Sequence, residues 1–154
     1  GLQAQFNQDN GTGRVVNVSA SGLVDATGTL ASWIARVPRE IARNITFGFA
    51  GSPAGGGSDN ASFACYGAPG FSLGSLSWDY GTYTWHTNRD TFDKIVWDEV
   101  KNNIALTAML AYLASEDPTT VARTRANVFN GFTGRAGTWP ECTTPPRKSS
   151  EWTR

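Results

Sequence analysis

The single histidine of the sequence, His86, is the residue whose surroundings best fit metal chemistry. Two aspartates, Asp90 and Asp93, follow it closely. A carboxylate near a histidine can fix one ring nitrogen while the other nitrogen binds a metal ion. We therefore take His86 as a candidate metal ligand and Asp90 as a candidate partner that orients its ring. The alternative for His86 is a surface residue or a core residue with satisfied hydrogen bonds. Asp90 could instead simply cap the turn at Thr91. One histidine also excludes zinc motifs that need two from this chain.

A second candidate ligand, Asp9, lies at the carboxyl end of the first predicted strand. In open α/β sheets, ligands bind beyond the carboxyl ends of strands, and a carboxylate oxygen is a suitable zinc ligand. The local sequence fits equally well with a turn, because Asn10 and Gly11 follow immediately.

Two further segments contain candidate pocket residues. The run GGGSDN at residues 55–60 offers backbone amides and a helix start that could face an anionic group, although Ser58 and Asp59 could simply cap a short helix. Residues 78–93 predict a long irregular loop, which in compact domains is usually functional. Its aromatic side chains could line a substrate pocket, form an interface or pack around the loop. They are Trp78, Tyr80, Tyr83 and Trp85.

Strands that alternate with helices predict an α/β fold that positions these residues. Strands are predicted at residues 2–9, 14–18, 44–49 and 71–76, and helices at residues 25–37, 58–65 and 98–115. Asp25 is expected to cap the first helix and Pro38 to stop it. Residues 118–154 show no periodicity and are expected to form an extended arm.

Composition narrows the class of protein. The 154 residues carry 13 basic and 13 acidic side chains, a balance that argues against a nucleic-acid partner. No apolar run is long enough to cross a membrane. The chain opens without an apolar leader, so no signal peptide is expected in it. A charged fraction of only 17%, with six Trp and eight Phe, favours a secreted or otherwise extracellular or periplasmic protein.

The two cysteines, Cys65 and Cys142, form no CxxC pair. They are either a disulfide that closes a long loop, worth roughly 4.5 kcal/mol in the chain-entropy model, or two unrelated thiols. Four Asn-x-Ser/Thr sequences are candidate N-glycosylation sites in a eukaryotic secreted protein. Their asparagines are Asn10, Asn17, Asn44 and Asn60.

Three motifs in order resemble the carboxyl-terminal half of the dinuclear-zinc exopeptidases, which include secreted aminopeptidases, glutamate carboxypeptidases and glutaminyl cyclases. The resemblance covers about residues 2–117 and rests on QFNQDN, GGGSDNASFACYGAPGFSL and HTNRDTFD. It implies a partial mixed β-sheet flanked by helices, in a three-layer hydrolase-like domain of which residues 1–117 are the carboxyl-terminal half. By position, Asp9 would be a terminal ligand to one zinc ion and His86 a ligand to the other.

The resemblance also implies what this chain lacks. The family's upstream histidine, bridging aspartate and adjacent glutamate pair, which includes the general base, would precede Gly1, so the first strand would be an interior strand without neighbours. The chain alone should then be inactive, because one ligand to each zinc ion is too few. Asn60 stands where the family usually has histidine after Ser-Asp, which puts rate or substrate preference in doubt.

Two functions follow as hypotheses. In the first, this chain is the downstream part of a secreted exopeptidase that hydrolyses terminal peptide bonds with a water activated by two zinc ions. Its partners are a peptide substrate and the upstream half of the same protein. In the second, the fold is an inactive, glycosylated module for binding or assembly, with a homo-oligomer as one form. A glutaminyl cyclase is a weaker third hypothesis.

Overall fold

The computed structural model describes residues 1–49, 51–54, 58–128 and 137–143. Its centre is a four-stranded mixed sheet with the order β1-β4-β2-β3. The β1–β4 and β2–β3 pairs are parallel, whereas β2 and β4 are antiparallel. The strands are β1 (Gln5–Asn7), β2 (Val15–Ser19), β3 (Thr46–Gly48) and β4 (Gly70–Ser75). The predicted α/β fold with a mixed sheet is therefore confirmed.

Five α-helices accompany the sheet in the described residues. They are α1 (Ala26–Ile34), α2 (Arg39–Ala42), α3 (Ala61–Ala64), α4 (Tyr80–Tyr83) and α5 (Trp97–Glu116), with a 3-10 turn at Phe92–Lys94. The sequence predicted α1, α3 and α5 but missed α2 and α4, which are single turns without an apolar period to reveal them. Helix α2 begins directly after Pro38, where a missing backbone N–H costs a helix nothing.

The core forms where α1 and α5 bury one face each against the sheet. Leu30, Trp33 and Ile34 of α1 and Leu106 and Leu110 of α5 are buried, at the spacings of three and four that place side chains on one helix face. The Trp33 and Phe71 rings meet edge to face with centroids 5.6 Å apart. Phe71 also stacks on Phe6 of β1, so this aromatic contact joins α1 to two strands.

Three local expectations were wrong. β1 is not without neighbours, because it pairs in parallel with β4, with Phe6 opposite Phe71. The Asp25 side chain makes no capping hydrogen bond to α1. Neither does Ser58 or Asp59 cap α3, whose N-cap residue is Asn60. The Ser58 hydroxyl instead donates to the carboxylate of Asp9, which is 49 positions away in the sequence. A local sequence pattern cannot reveal such a contact.

Residues after α5 run along the domain without a helix in the described part. Val121 is buried in the core, and Leu23 forms an isolated antiparallel bridge with Arg125. Further on, the Trp139 indole donates a 2.7 Å hydrogen bond to the carbonyl of Ala64. Next to that contact, Cys65 and Cys142 form a disulfide. Within the described residues, no helix is long and apolar enough to span a membrane.

Candidate functional site

A cleft of about 960 Å³ lies beside β1 and β4 and collects most of the predicted site residues. Its polar lining comes from the end of β1, from the segment before α3, from β4 and from the loop that carries α4. The lining residues with relevant chemistry include Asn7, Asp9, Asn10, Ser58, Asn60, Ser72, Tyr80, Trp85, His86 and Asp90. Among the described residues predicted to form a pocket, Asp59, Trp78 and Tyr83 are not part of this lining. Residues 55–57 of the glycine run lie outside the described residues.

Asp9 is held by a short chain of hydrogen bonds. The amide of Asn7 donates to Ser58 Oγ at 3.1 Å, and the Ser58 hydroxyl donates to Asp9 Oδ2 at 2.8 Å. Asn7 is the last residue of β1, so the strand positions both the amide and, two residues later, the carboxylate. Ser58 thus fixes one carboxylate oxygen of Asp9. Sequence reasoning missed Asn7, which carries no motif of its own.

His86 is exposed and has a left-handed backbone conformation, with φ of 57°. Its ring lies against the Trp85 indole with centroids 4.2 Å apart. Trp78 and Asp79, in the same loop, also have positive φ. Each such residue costs of order 1–2 kcal/mol, and strain of this kind clusters at functional sites.

Asp90 lines the same cleft as His86. Among the described residues, however, its carboxylate forms no hydrogen bond with the imidazole. Thr91, the N-cap residue of the following 3-10 turn, makes no side-chain capping hydrogen bond. The orienting role of Asp90 therefore stays a prediction.

Tyr80 opens α4 and is half-buried, whereas the neighbouring Trp78, Tyr83 and Trp85 are exposed. Partial burial raises the pKa of its phenol, and the negative charges of Asp90 and then Asp9 raise it further. The phenol is consequently protonated and able to donate at neutral pH. Its ring packs on Gly11, whose φ is +87° and where a Cβ would lie 2.9 Å from Tyr80 Cγ. Only the tertiary structure reveals this contact.

Asn60 is 6% exposed and is one of the residues that line the cleft. Its amide nitrogen donates to Ser72 Oγ at 3.4 Å, and Ser72 shares a 2.9 Å hydrogen bond with Ser21. The Oδ1 atom of Asn60 has no partner among the described residues. Burial makes Asn60 a poor glycan acceptor in the folded chain. Asn17 and Asn44 are exposed, whereas Asn10 is half-buried.

The metal-binding capacity of these residues is limited. Asp9 and His86 bring one carboxylate and one imidazole to the same cleft. Yet the described part of the chain has no group of three or more His, Cys, Asp or Glu side chains that could hold a metal ion. Zinc is usually held by at least three protein ligands. The donor set therefore fits part of a zinc site and not a complete one.

Comparison with known proteins gives one match. The model of peptidase family M28, whose peptidases depend on zinc, matches residues 4–111, which span β1 through most of α5. No curated protein and no solved structure matches the chain. The matched segment covers more than half of the sequence and includes Asp9, Asn60 and His86. The chain therefore belongs to peptidase family M28, a family of zinc-dependent exopeptidases.

Proposed function

We propose that this chain supplies one side of a two-zinc centre that hydrolyses terminal peptide bonds. The observation that carries the proposal is that Asp9 and His86 line one cleft although four helices and three strands separate them in the sequence. In the proposal, each binds a different zinc ion. Bound zinc would acidify a water molecule and polarise the scissile carbonyl.

The surrounding residues have supporting roles in this proposal. Ser58 holds one oxygen of Asp9, so that the carboxylate presents a fixed face to a metal ion. Trp85 limits the movement of the His86 ring by stacking on it. The protonated Tyr80 phenol offers a hydrogen-bond donor to a substrate in the cleft.

We propose that the remaining ligands and the general base come from an upstream half of the same protein. β1 lies at the edge of the sheet, and no strand pairs with its outer side in the described residues. A groove of about 520 Å³ runs between β1 and α5, lined by Phe6, Val100 and the 63% exposed Ile104. An open edge beside an apolar groove supports a partner that adds a strand there. The disulfide supports secretion, because such bonds persist in oxidising compartments.

Native mass spectrometry and a peptidase assay test this proposal. The chain alone should carry no pair of zinc ions and release no terminal residues, whereas the protein with its upstream half should do both. Asp9→Ala and His86→Ala should each reduce zinc content and abolish activity. Glu116→Ala is the matched control, since Glu116 is an exposed carboxylate at the far end of α5. Full activity of the chain without any other polypeptide would disprove the shared-site proposal.

A second candidate is an inactive binding or assembly module. The absence of a three-ligand cluster in the described residues favours it. A homo-oligomer would then use the exposed aromatic side chains of the loop, among them Trp78 and Tyr83. In this case the Asp9→Ala/His86→Ala double variant should assemble like the parent chain, as measured by sedimentation. Loss of assembly in that variant would argue against the module.

A further inference from the structure

The sheet has a second open edge, at β3. This strand is last in the order β1-β4-β2-β3, and in the described residues it pairs with β2 alone. The chain after β3 turns back toward β2, because Gly51 lies against Ser19 and Pro53 lies against Gly22. The outward backbone N–H and C=O groups of β3 are therefore left for a further strand in the described structure.

Two exposed phenylalanines make this edge a contact surface. Phe47, in β3, is 42% exposed, and Phe49, just after the strand, is 76% exposed. Phe47 is in register with the buried Val18 of β2, so its ring lies on the core side of the sheet. Protected edges usually carry charged side chains or proline. Exposed aromatic rings at an edge instead favour a partner that buries them.

Two arginines lie next to this edge. Arg39 begins α2, Arg43 is its C-cap residue, and both are exposed. Ile41, between them, packs against the core, which places α2 on the same side of the sheet as Phe47. Neither arginine forms an ion pair within the described part of the chain. Glu40 is the one acidic residue of α2, so this surface has an excess of positive charge.

This charge indicates which partner fits the edge. A contact between β3 strands of two copies would use the same surface twice and bring both pairs of arginines together. Like charges that face each other across an interface weaken it. An acidic segment would instead neutralise Arg39 and Arg43. Peptides that extend a sheet gain affinity from main-chain hydrogen bonds and specificity from alternate side chains.

We infer that β3 and α2 form a docking surface for an extended acidic segment of another protein, which adds a strand to the outer edge of β3. Apolar side chains of that segment contact Phe47 and Phe49, and its carboxylates pair with Arg39 and Arg43. None of these four residues lines the cleft that contains Asp9 and His86. The docking surface therefore does not depend on the proposed peptidase function.

Three synthetic peptides test the inference. The acidic probe is acetyl-EEVTVTVEE-amide, and the basic probe has lysine in place of each glutamate. The third is the acidic probe N-methylated at its five central residues, which removes backbone N–H donors and keeps every side chain. Binding to the full 154-residue chain is measured by calorimetry at pH 7 and low salt. The acidic probe should bind about tenfold or more tightly than either of the others, and added salt should reduce its advantage over the basic probe.

Variants and hydrogen exchange locate the contact. Phe47→Thr keeps a residue that favours strands and should weaken binding of the acidic probe about fivefold or more. Arg39→Gln/Arg43→Gln should remove most of the preference for the acidic over the basic probe. Arg89→Gln, at an exposed arginine of the loop before α5, is the matched control and should change neither. In the parent chain, the acidic probe should slow amide exchange in Thr46–Gly48, a result that needs no variant.

Several results would overturn the inference. They are equal binding of the three peptides, tighter binding of the basic probe, no binding of the acidic probe, and unchanged exchange in β3 when that probe is bound. Sedimentation tests a second copy as the partner. A dimer that Phe47→Thr abolishes and the acidic probe does not displace would assign the edge to a second copy and also overturn the inference. A monomer that binds the acidic probe through β3 would support it.

Discussion

At the scale of single residues, Asp117 links the end of α5 to the core. Its Oδ2 atom accepts a 2.8 Å hydrogen bond from the buried Trp33 indole, and its Oδ1 atom accepts one at 2.9 Å from the backbone N–H of Thr119. These donors, the Thr119 backbone first and Trp33 second, lower the pKa of the Asp117 carboxyl below its ordinary 3.8. The folded state therefore binds this proton less readily than the unfolded state.

This shift predicts a contribution to acid stability. Because the pKa is lower in the folded state, the contribution is fully present above the unfolded value of 3.8 and is lost as pH falls through the folded value. Asp117→Asn should lower the free energy of unfolding at pH 7 and weaken its dependence on pH below about 4. Denaturant unfolding at pH 7 and pH 3, followed by tryptophan fluorescence, measures both. Glu116→Gln, at an exposed neighbour, should change neither quantity, and an equal effect of the two variants would contradict the assignment.

At the scale of elements, Asn103 joins α5 to the start of β2. The side chain is 4% exposed. Its Oδ1 accepts from the backbone N–H of Val15 at 2.9 Å, and its Nδ2 donates to the carbonyl of Gly13 at 2.8 Å. Asn103→Ala would leave both backbone groups buried without partners, at about 1–3 kcal/mol each. We expect a loss of about 2–6 kcal/mol in the free energy of unfolding, measured with guanidinium chloride.

The adjacent Asn102 provides a matched control for that experiment. Its Nδ2 atom is buried and has no partner in the described structure, so Asn102→Ala removes an unsatisfied group instead of creating two. Its effect should stay within about 1 kcal/mol. Comparable losses for Asn102→Ala and Asn103→Ala would show that the two hydrogen bonds do not carry the stability.

Two glycines test how closely elements approach each other. A Cβ on Gly13 would overlap the carbonyl oxygen of Leu76. Gly13→Ala should therefore destabilise the fold by about 1–3 kcal/mol or more. In α1, a Cβ on Gly28 would meet nothing within 4 Å, so Gly28→Ala should stabilise by about 0.5–1 kcal/mol. Thermal unfolding of both variants gives the sign of each change, and a shift of the same sign in both would contradict this assignment.

At the scale of the whole molecule, the Cys65–Cys142 disulfide closes a long loop of the chain. The two cysteines are 77 positions apart, and the loop between them contains β4, α4 and α5. The disulfide restricts the conformations of the unfolded chain. In the chain-entropy model, this raises the free energy of unfolding by about 4.5 kcal/mol. The Cys65→Ser/Cys142→Ser variant should lose stability of that order in urea unfolding. Adding reductant should destabilise the parent protein similarly and leave the variant unchanged, whereas no difference between the two proteins would refute the role of the disulfide.

The sequence by itself determined the fold class, the long helices and three motifs. A helix that buries one face carries apolar residues at spacings of three and four, and this pattern can be seen in the sequence alone. The sequence therefore predicted α1 and α5. His86 was singled out as the only histidine, followed by two aspartates, and Asp9 by its place at the end of the first predicted strand; the resemblance of HTNRDTFD and QFNQDN to the family supported both. These patterns lie within short segments, so they can be recognised without knowing which other residues pack against them.

Only the tertiary structure decided how distant residues meet. Strand order, the pairing of β1 with β4 and the choice of a disulfide over two free thiols depend on contacts between remote segments. The same holds for the Asn7–Ser58–Asp9 hydrogen bonds, because their energy exists only when β1 and the segment before α3 are adjacent. Tyr80 shows it too: its ring packs on the distant Gly11. Burial first, and then the charges of Asp90 and Asp9, raise the pKa of its phenol. The local sequence does not reveal such contacts, because they form only when distant segments of the chain come together in the folded structure.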